Sequence, residues 1–203
     1  FWKKNNYILH AGLSFLKEDR ASGQTRHAQT PAPGTTPYRI NIGTNRYEGY
    51  MKHAFILDPK HGTNIALMGN VSLHEQRADY GIKHYDVNEK NAYASLVFET
   101  NFTEAHNLSA GLSLNHDYLR QNLSLTTPTA ILSNYGNLYP LKNNVESETT
   151  PGAYVQYTFN LHNHFIAMAG FRVDHSNVYG TFATPRFHVK WVATDFLTLR
   201  LSA

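Results

Sequence analysis

Apolar and polar residues alternate with a period of two along most of this chain, and that period fits a β-strand and not a helix. Ala153, Val155, Tyr157 and Phe159 stand apart from Gln156 and Thr158. Phe165, Ala167, Ala169, Phe171 and Val173 oppose Met168, Gly170, Arg172 and Asp174. Phe187, Val189 and Trp191 oppose Arg186, His188 and Lys190, and Leu197, Leu199 and Leu201 oppose Thr198, Arg200 and Ser202. The same rhythm runs through 7–15, 64–74 and 107–115. No stretch keeps apolar residues at i, i+3, i+4 and i+7 over the ten or more positions a helix needs. The reading is all-β, with nine strands at about 5–17, 38–57, 63–77, 88–101, 106–122, 150–160, 163–176, 181–194 and 195–203. In the second, the apolar parity shifts near Asn45-Arg46, from Ile40 and Ile42 to Tyr47, Met51, Phe55 and Leu57, which predicts a bulge.

The predicted connections alternate between long (18–37, 77–89, 120–149, 175–182) and short (58–62, 101–106, 160–163, 193–195). In an up-and-down meander this puts every long loop on one rim and every tight turn on the other, the asymmetry of barrels that cross bacterial outer membranes. Strands of ten to twenty residues exceed the usual ~5–6, while a bilayer takes ~9–11 tilted residues. Phe55, Phe98, Phe102, Tyr157, Phe159, Phe165, Trp191 and Phe196 gather near the short-turn rim, where an interfacial girdle belongs. The expected fold is an antiparallel up-and-down transmembrane β-barrel segment, with residues 1–203 forming part of one barrel domain. Nine strands is an odd number and the last has barely begun at Leu201-Ser202-Ala203, so the chain reads as a piece of a larger barrel.

Composition narrows the chemistry. Charged residues make up 16% against a typical ~25%, while aromatics reach 13%, which excludes a disordered chain. The net charge of +3 is scattered, so nucleic acid is not an expected partner. With no cysteine there is no disulfide, thiolate metal site or thiol nucleophile. No run of ~18 apolar residues provides a membrane helix. Nucleophile-elbow, zinc-protease, phosphate-loop and dinucleotide motifs are all missing, and the acids Asp79, Asp86, Glu89 and Asp117 form no scaffolded pair, so no enzyme and no cofactor are expected.

Thr150-Pro151-Gly152-Ala153-Tyr154-Val155-Gln156-Tyr157, Gly170-Phe171-Arg172-Val173-Asp174, Thr184-Pro185-Arg186 and Leu199-Arg200-Leu201-Ser202-Ala203 resemble the barrel of TonB-dependent outer-membrane receptors of the Bacteroidetes type, as do Tyr80-Gly81, Tyr85 and 91–96. The resemblance covers about residues 38–122 and 150–203 and implies the middle part of a barrel of about 22 strands. It further implies a separate plug domain and a periplasmic energy-coupling protein as partners, neither within this chain, and a bilayer around the wall. The sequence leaves open whether a surface lipoprotein sits on the loops as a further partner. The implied role is energised uptake of a scarce, large nutrient such as a metal chelate, corrinoid, haem or glycan.

Candidate sites follow from rim and parity. Tyr80, Tyr85, Tyr135 and Tyr139 fall in the predicted long loops, where rigid amphipathic rings suit ligand capture, an upper girdle or loop packing. Arg172, Arg186, Lys190 and Arg200 share the parity opposite the apolar one and would line the lumen, either meeting plug carboxylates or an anionic ligand or serving as ordinary lumen polarity. His162-x-His164 has no third ligand beside it, and His27, His84 and His175 are separate loop histidines, so no metal site is expected. The Pro-rich segment from Gln24 to Pro37 has a loop composition. The competing reading is a soluble extracellular β-sandwich binding module, whose apolar parity would pack a core. A small complete barrel is a third reading, opposed by the odd strand count.

Overall fold

The computed structural model describes residues 2–24, 38–125 and 144–203. These residues form ten strands and no helix: β1 (Trp2–Lys4), β2 (Tyr7–Gly23), β3 (Arg39–Asp58), β4 (Thr63–Tyr80), β5 (Lys83–Thr103), β6 (His106–Leu125), β7 (Asn144–Leu161), β8 (Phe165–Ser176), β9 (Gly180–Thr194) and β10 (Leu197–Ser202). Each pairs antiparallel with its neighbour in sequence, in one sheet of order β1 to β10. β1 and β10 do not pair with each other, so the sheet is open along two edges.

The register carries the sequence alternation across the whole sheet. Directly opposed residues share a face, and Tyr7, Phe55, Ile65, Phe98, Ala110, Val155, Phe171 and Pro185 form one continuous row. One surface of the sheet is therefore apolar from strand to strand, and Leu13, Val71, Leu112, Val155 and Phe171 are exposed on it. The buried residues Ala54, Ala66, Ala78, Ser95, Ser113, Asp174 and Ser176 all lie on the opposite, polar surface. A single layer has no second sheet to cover it, so this shielding marks the polar side as the inside of a curve. Among the described residues no layer packs on the apolar side, which argues against a sandwich.

The outward apolar stretches have one length: Tyr7–Phe15, Tyr47–Phe55 and Ile65–Leu73 on β2 to β4, and 151–159, 165–173 and 183–191 on β7 to β9. Nine residues match the ~9–11 that cross a bilayer. The stretches step downward along the sheet. The row through Tyr7 starts at the first residue of β2 but meets β9 at Pro185, nine residues short of its end at Thr194. Nine residues at ~3.4 Å against seven inter-strand steps at ~4.8 Å give a strand tilt of about 40°, inside the ~35–45° range of membrane barrels.

Rings close off the band. At the short-turn rim Trp2 meets Tyr7 at 5.5 Å, Tyr7 meets Phe55 at 4.9 Å, and Phe159 meets both His106 at 5.1 Å and Phe165 at 6.4 Å. At the other edge Phe15 meets Tyr47 at 5.0 Å and Lys90 Nζ lies 5.9 Å from the centre of the Tyr118 ring.

Four expectations are corrected. Among the described residues there are ten strands rather than nine, since Trp2–Lys4 is too short to show a period and forms by pairing with Leu9 to Tyr7. The argument from an odd count lapses with it. No bulge occurs at Asn45-Arg46: β2, β3 and β4 keep an unbroken register there, and the irregularities lie at Ile56/Asp58, Asn101/Thr103 and Leu197/Thr198, beside short turns. The parity shift instead marks where β3 leaves the apolar band, beyond which its outward side chains have no reason to be apolar. Segments 77–89 and 175–182 are not long loops. The first is strand up to Tyr80 and from Lys83, joined by Gly81-Ile82 alone, and the second is the turn 177–179. Ser176 Oγ ties that turn down by accepting from Val178 N and Tyr179 N, each at 3.1 Å, while donating to Glu148 at 2.6 Å.

Candidate ligand site and inner face

Above the apolar band β4 and β5 continue as a hairpin, and from Leu73 to Tyr80 the projection is about 24 Å along the strand. Gly81 makes its tip possible. It adopts φ +63°, and a Cβ there would lie 2.7 Å from Cε2 of Tyr38. Only glycine combines that left-handed backbone with a ring packed against it. Gly81 N donates to Arg39 O at 2.8 Å, tying the tip to β3. Tyr38 is held in turn: its N donates to Gln24 Oε1 at 3.1 Å, and Gln24 N donates back to Tyr38 O at 3.0 Å.

The result is a cavity of ≈ 810 Å³ at the far end of the polar face, lined by Tyr38, Arg39, Tyr80, Lys83, Tyr85 and Leu123 among others. Tyr85 Oη donates to Gln121 Oε1 at 2.8 Å, which fixes its ring across β5 and β6. Three phenol rings beside two cations can stack on and hydrogen-bond a large amphipathic molecule. Tyr80 and Tyr85, expected in a loop, are thus strand residues brought to one cavity. Tyr135 and Tyr139 lie outside the described residues, as do His27 and residues 25–37 of the Pro-rich segment. Tyr38 was missed in the sequence because it follows the run Pro31 to Pro37 and shows no alternation.

Further down the polar face, Arg172, Arg186, Lys190 and Arg200 share the inner surface, as parity predicts. They do not act alike. Arg172 grips Asp174 through Nε to Oδ2 at 2.7 Å and Nη2 to Oδ1 at 2.6 Å, and also reaches Ser113 Oγ at 2.9 Å. Gly152 leaves the room for this: a Cβ there would clash with Asp174 Oδ1. Arg186, Lys190 and Arg200 make no side-chain hydrogen bond or ion pair with another described residue.

Outside the band, His84 bridges Asp79 at 2.6 Å and Asp86 at 3.1 Å. The Asp79 hydrogen bond, helped by the nearby Asp86 charge, raises the His84 pKa above its ordinary value. A raised folded value means the protonated form is preferred in the fold. That stabilisation is complete below the unfolded value of ~6.5 and is lost as pH climbs through the folded one. We expect NMR titration of His84 to give a midpoint above ~6.5 and Asp79→Asn to lower it; an unshifted midpoint in the unaltered protein would contradict the bridge. His162 and His164 meet only through a ring-to-carbonyl contact of 3.0 Å. Among the described residues no group of three or more acidic or histidine side chains is placed to hold a metal ion.

Compared with known families, residues 3–203 match the family model described as TonB dependent receptor-like, beta-barrel. The search of curated proteins produced no match.

Proposed function

The chain belongs to the TonB-dependent receptor-like β-barrel family, and from that premise we propose that it forms wall strands of a Bacteroidetes-type receptor, from the middle of the barrel. That receptor takes up a scarce, large nutrient across the bacterial outer membrane. The family comprises outer-membrane transporters, so the apolar surface faces lipid and the polar surface faces the lumen. The nutrient classes we propose are metal chelate, corrinoid, haem and glycan, all bulky enough to need a wide barrel. In the full protein a plug domain fills the lumen, and a periplasmic coupling protein supplies the energy. A surface lipoprotein seats on the projecting strands.

One observation supports the capture site: Tyr38, Tyr80 and Tyr85 line a single cavity on the polar face beyond the apolar band, which in the proposed barrel is where an incoming molecule first meets the wall. The three cations without partners among the described residues, Arg186, Lys190 and Arg200, are proposed to face carboxylates of the plug or an anionic ligand on its way through. The test is growth of a strain lacking its own copy and complemented with the full-length gene, supplied in turn with cobalamin, haem, a ferric siderophore or an oligosaccharide as the limiting nutrient. On the nutrient that the unaltered gene rescues, Tyr80→Ala with Tyr85→Ala should weaken uptake affinity by about tenfold, each lost ring contact costing ~0.5–1.5 kcal/mol. Unchanged affinity would remove the cavity from the transport path.

A further inference from the structure

The outward surface of β4, β5 and β6 carries two features stacked one above the other that uptake through the lumen does not use. The lower is a groove of ≈ 620 Å³ within the apolar band, floored by Gly69 and Ala94 and walled by Leu13, Met51, Val71 and Leu114. The upper is a polar cavity of ≈ 420 Å³ just beyond the band, lined by Glu75, Arg77, His84, Asp86, Asn88 and Arg120 among others. The pair of Lys90 and Tyr118 lies between them. From Ala94 in the groove to Asn88 in the cavity is six residues of β5, about 20 Å.

The polar cavity is mixed in sign, and each of its acids has one hydrogen-bonding partner within the protein, Asp86 through Oδ2 alone with its buried Oδ1 left without one. Asp86 holds His84, which Asp79 also holds, and Glu75 accepts from Asn88 at 3.3 Å. Arg77 and Arg120 are exposed and make no side-chain hydrogen bond or ion pair with another described residue. Lys90 is likewise exposed and touches only the face of Tyr118. Three uncommitted cations thus crown an apolar groove, on the side of the wall that meets lipid and at the height of the headgroups. A soluble anion has no use for the groove, and an uncharged lipid has no use for the cations.

We propose that this surface binds a single phosphorylated lipid of the outer leaflet, with its phosphate on Arg77, Lys90 and Arg120 and an acyl chain in the groove over Gly69 and Ala94. The inference rests on the reading that the apolar surface faces the bilayer.

The test uses the full-length receptor purified in detergent, with lipid A, the same lipid A after enzymatic dephosphorylation, and inorganic phosphate as probes, read by native mass spectrometry. The unaltered protein should retain phosphorylated lipid A about tenfold more tightly than the dephosphorylated form. Arg77→Ala, Lys90→Ala and Arg120→Ala together should abolish that preference, while Ala94→Phe should weaken both forms alike by filling the groove. Heat-modifiable gel mobility confirms that each variant keeps its barrel, and Arg120→Gln alone replaces the triple variant should that fail. Equal retention of the two lipids by the unaltered protein overturns the proposal, as does displacement of the lipid by millimolar inorganic phosphate. Loss of the barrel's heat-dependent shift in the unaltered protein would instead overturn the membrane reading beneath it.

Discussion

Replacing Arg172 by Met is expected to lower the unfolding free energy of the full receptor by about 3 kcal/mol, the low end of what breaking a buried ion pair costs. Asp174 is only 5% exposed, and both of its carboxylate oxygens are bound by the same guanidinium. Without Arg172 that carboxylate keeps its burial and loses its counter-charge, so the loss comes mainly from the group left behind. The compensating experiment follows from this. Adding Asp174→Leu to Arg172→Met removes the stranded charge and should restore most of the lost stability, whereas two independent contributions would add. Urea unfolding in detergent, followed by tryptophan fluorescence, measures both. A loss under about 1 kcal/mol for the single variant would mean that water or the plug already solvates Asp174.

Neighbouring residues should respond to the same insertion in opposite ways. Val71 lies on the apolar surface in the middle of the β4 band and is 57% exposed, while Asn70 lies on the opposite, polar surface. Val71→Arg places a charge in hydrocarbon and should cost about 2–4 kcal/mol, with a corresponding loss of folded receptor from the outer membrane. Asn70→Arg places the same charge in a polar interior and should be close to neutral. Equal tolerance at the two positions would mean that lipid does not cover the apolar surface, and the soluble binding-module reading would return. Equal intolerance would point to steric crowding.

The part of the fold legible in the sequence was the part with an apolar band. Between Ile65 and Leu73, or between Phe165 and Val173, one apolar and one polar surface force a residue-by-residue choice, and strands, parity and girdle all follow from it. Beyond the band that constraint ends. β4 continues through Arg77 and Asp79, and β5 begins at Lys83 and runs through Asp86 and Asn88, with polar residues on both faces, so the hairpin reads as a loop although its backbone pairing is complete. The candidate site was half legible for the same reason. Tyr80 and Tyr85 stood out by type, but their convergence with Tyr38 depends on a turn of two residues that composition does not reveal. Parity puts Arg172 on the polar face. It does not reveal the partner, since Asp174 lies two residues along the same strand and the space for the pair is made by Gly152 on the next.

Every strand pairs only with the strand before it and the strand after it in the chain. Apart from the two open edges at β1 and β10, no described strand needs a partner distant in the chain to satisfy its backbone, so pairing between them closes only the connection from each strand to the next. Such a sheet can grow by accretion, each new hairpin adding to a free edge that the previous one has just exposed. The same economy bears on evolution. Inserting or deleting one hairpin shifts the circumference by two strands and leaves every other partnership as it was, so a wall of this design can change its bore without relearning how to pair.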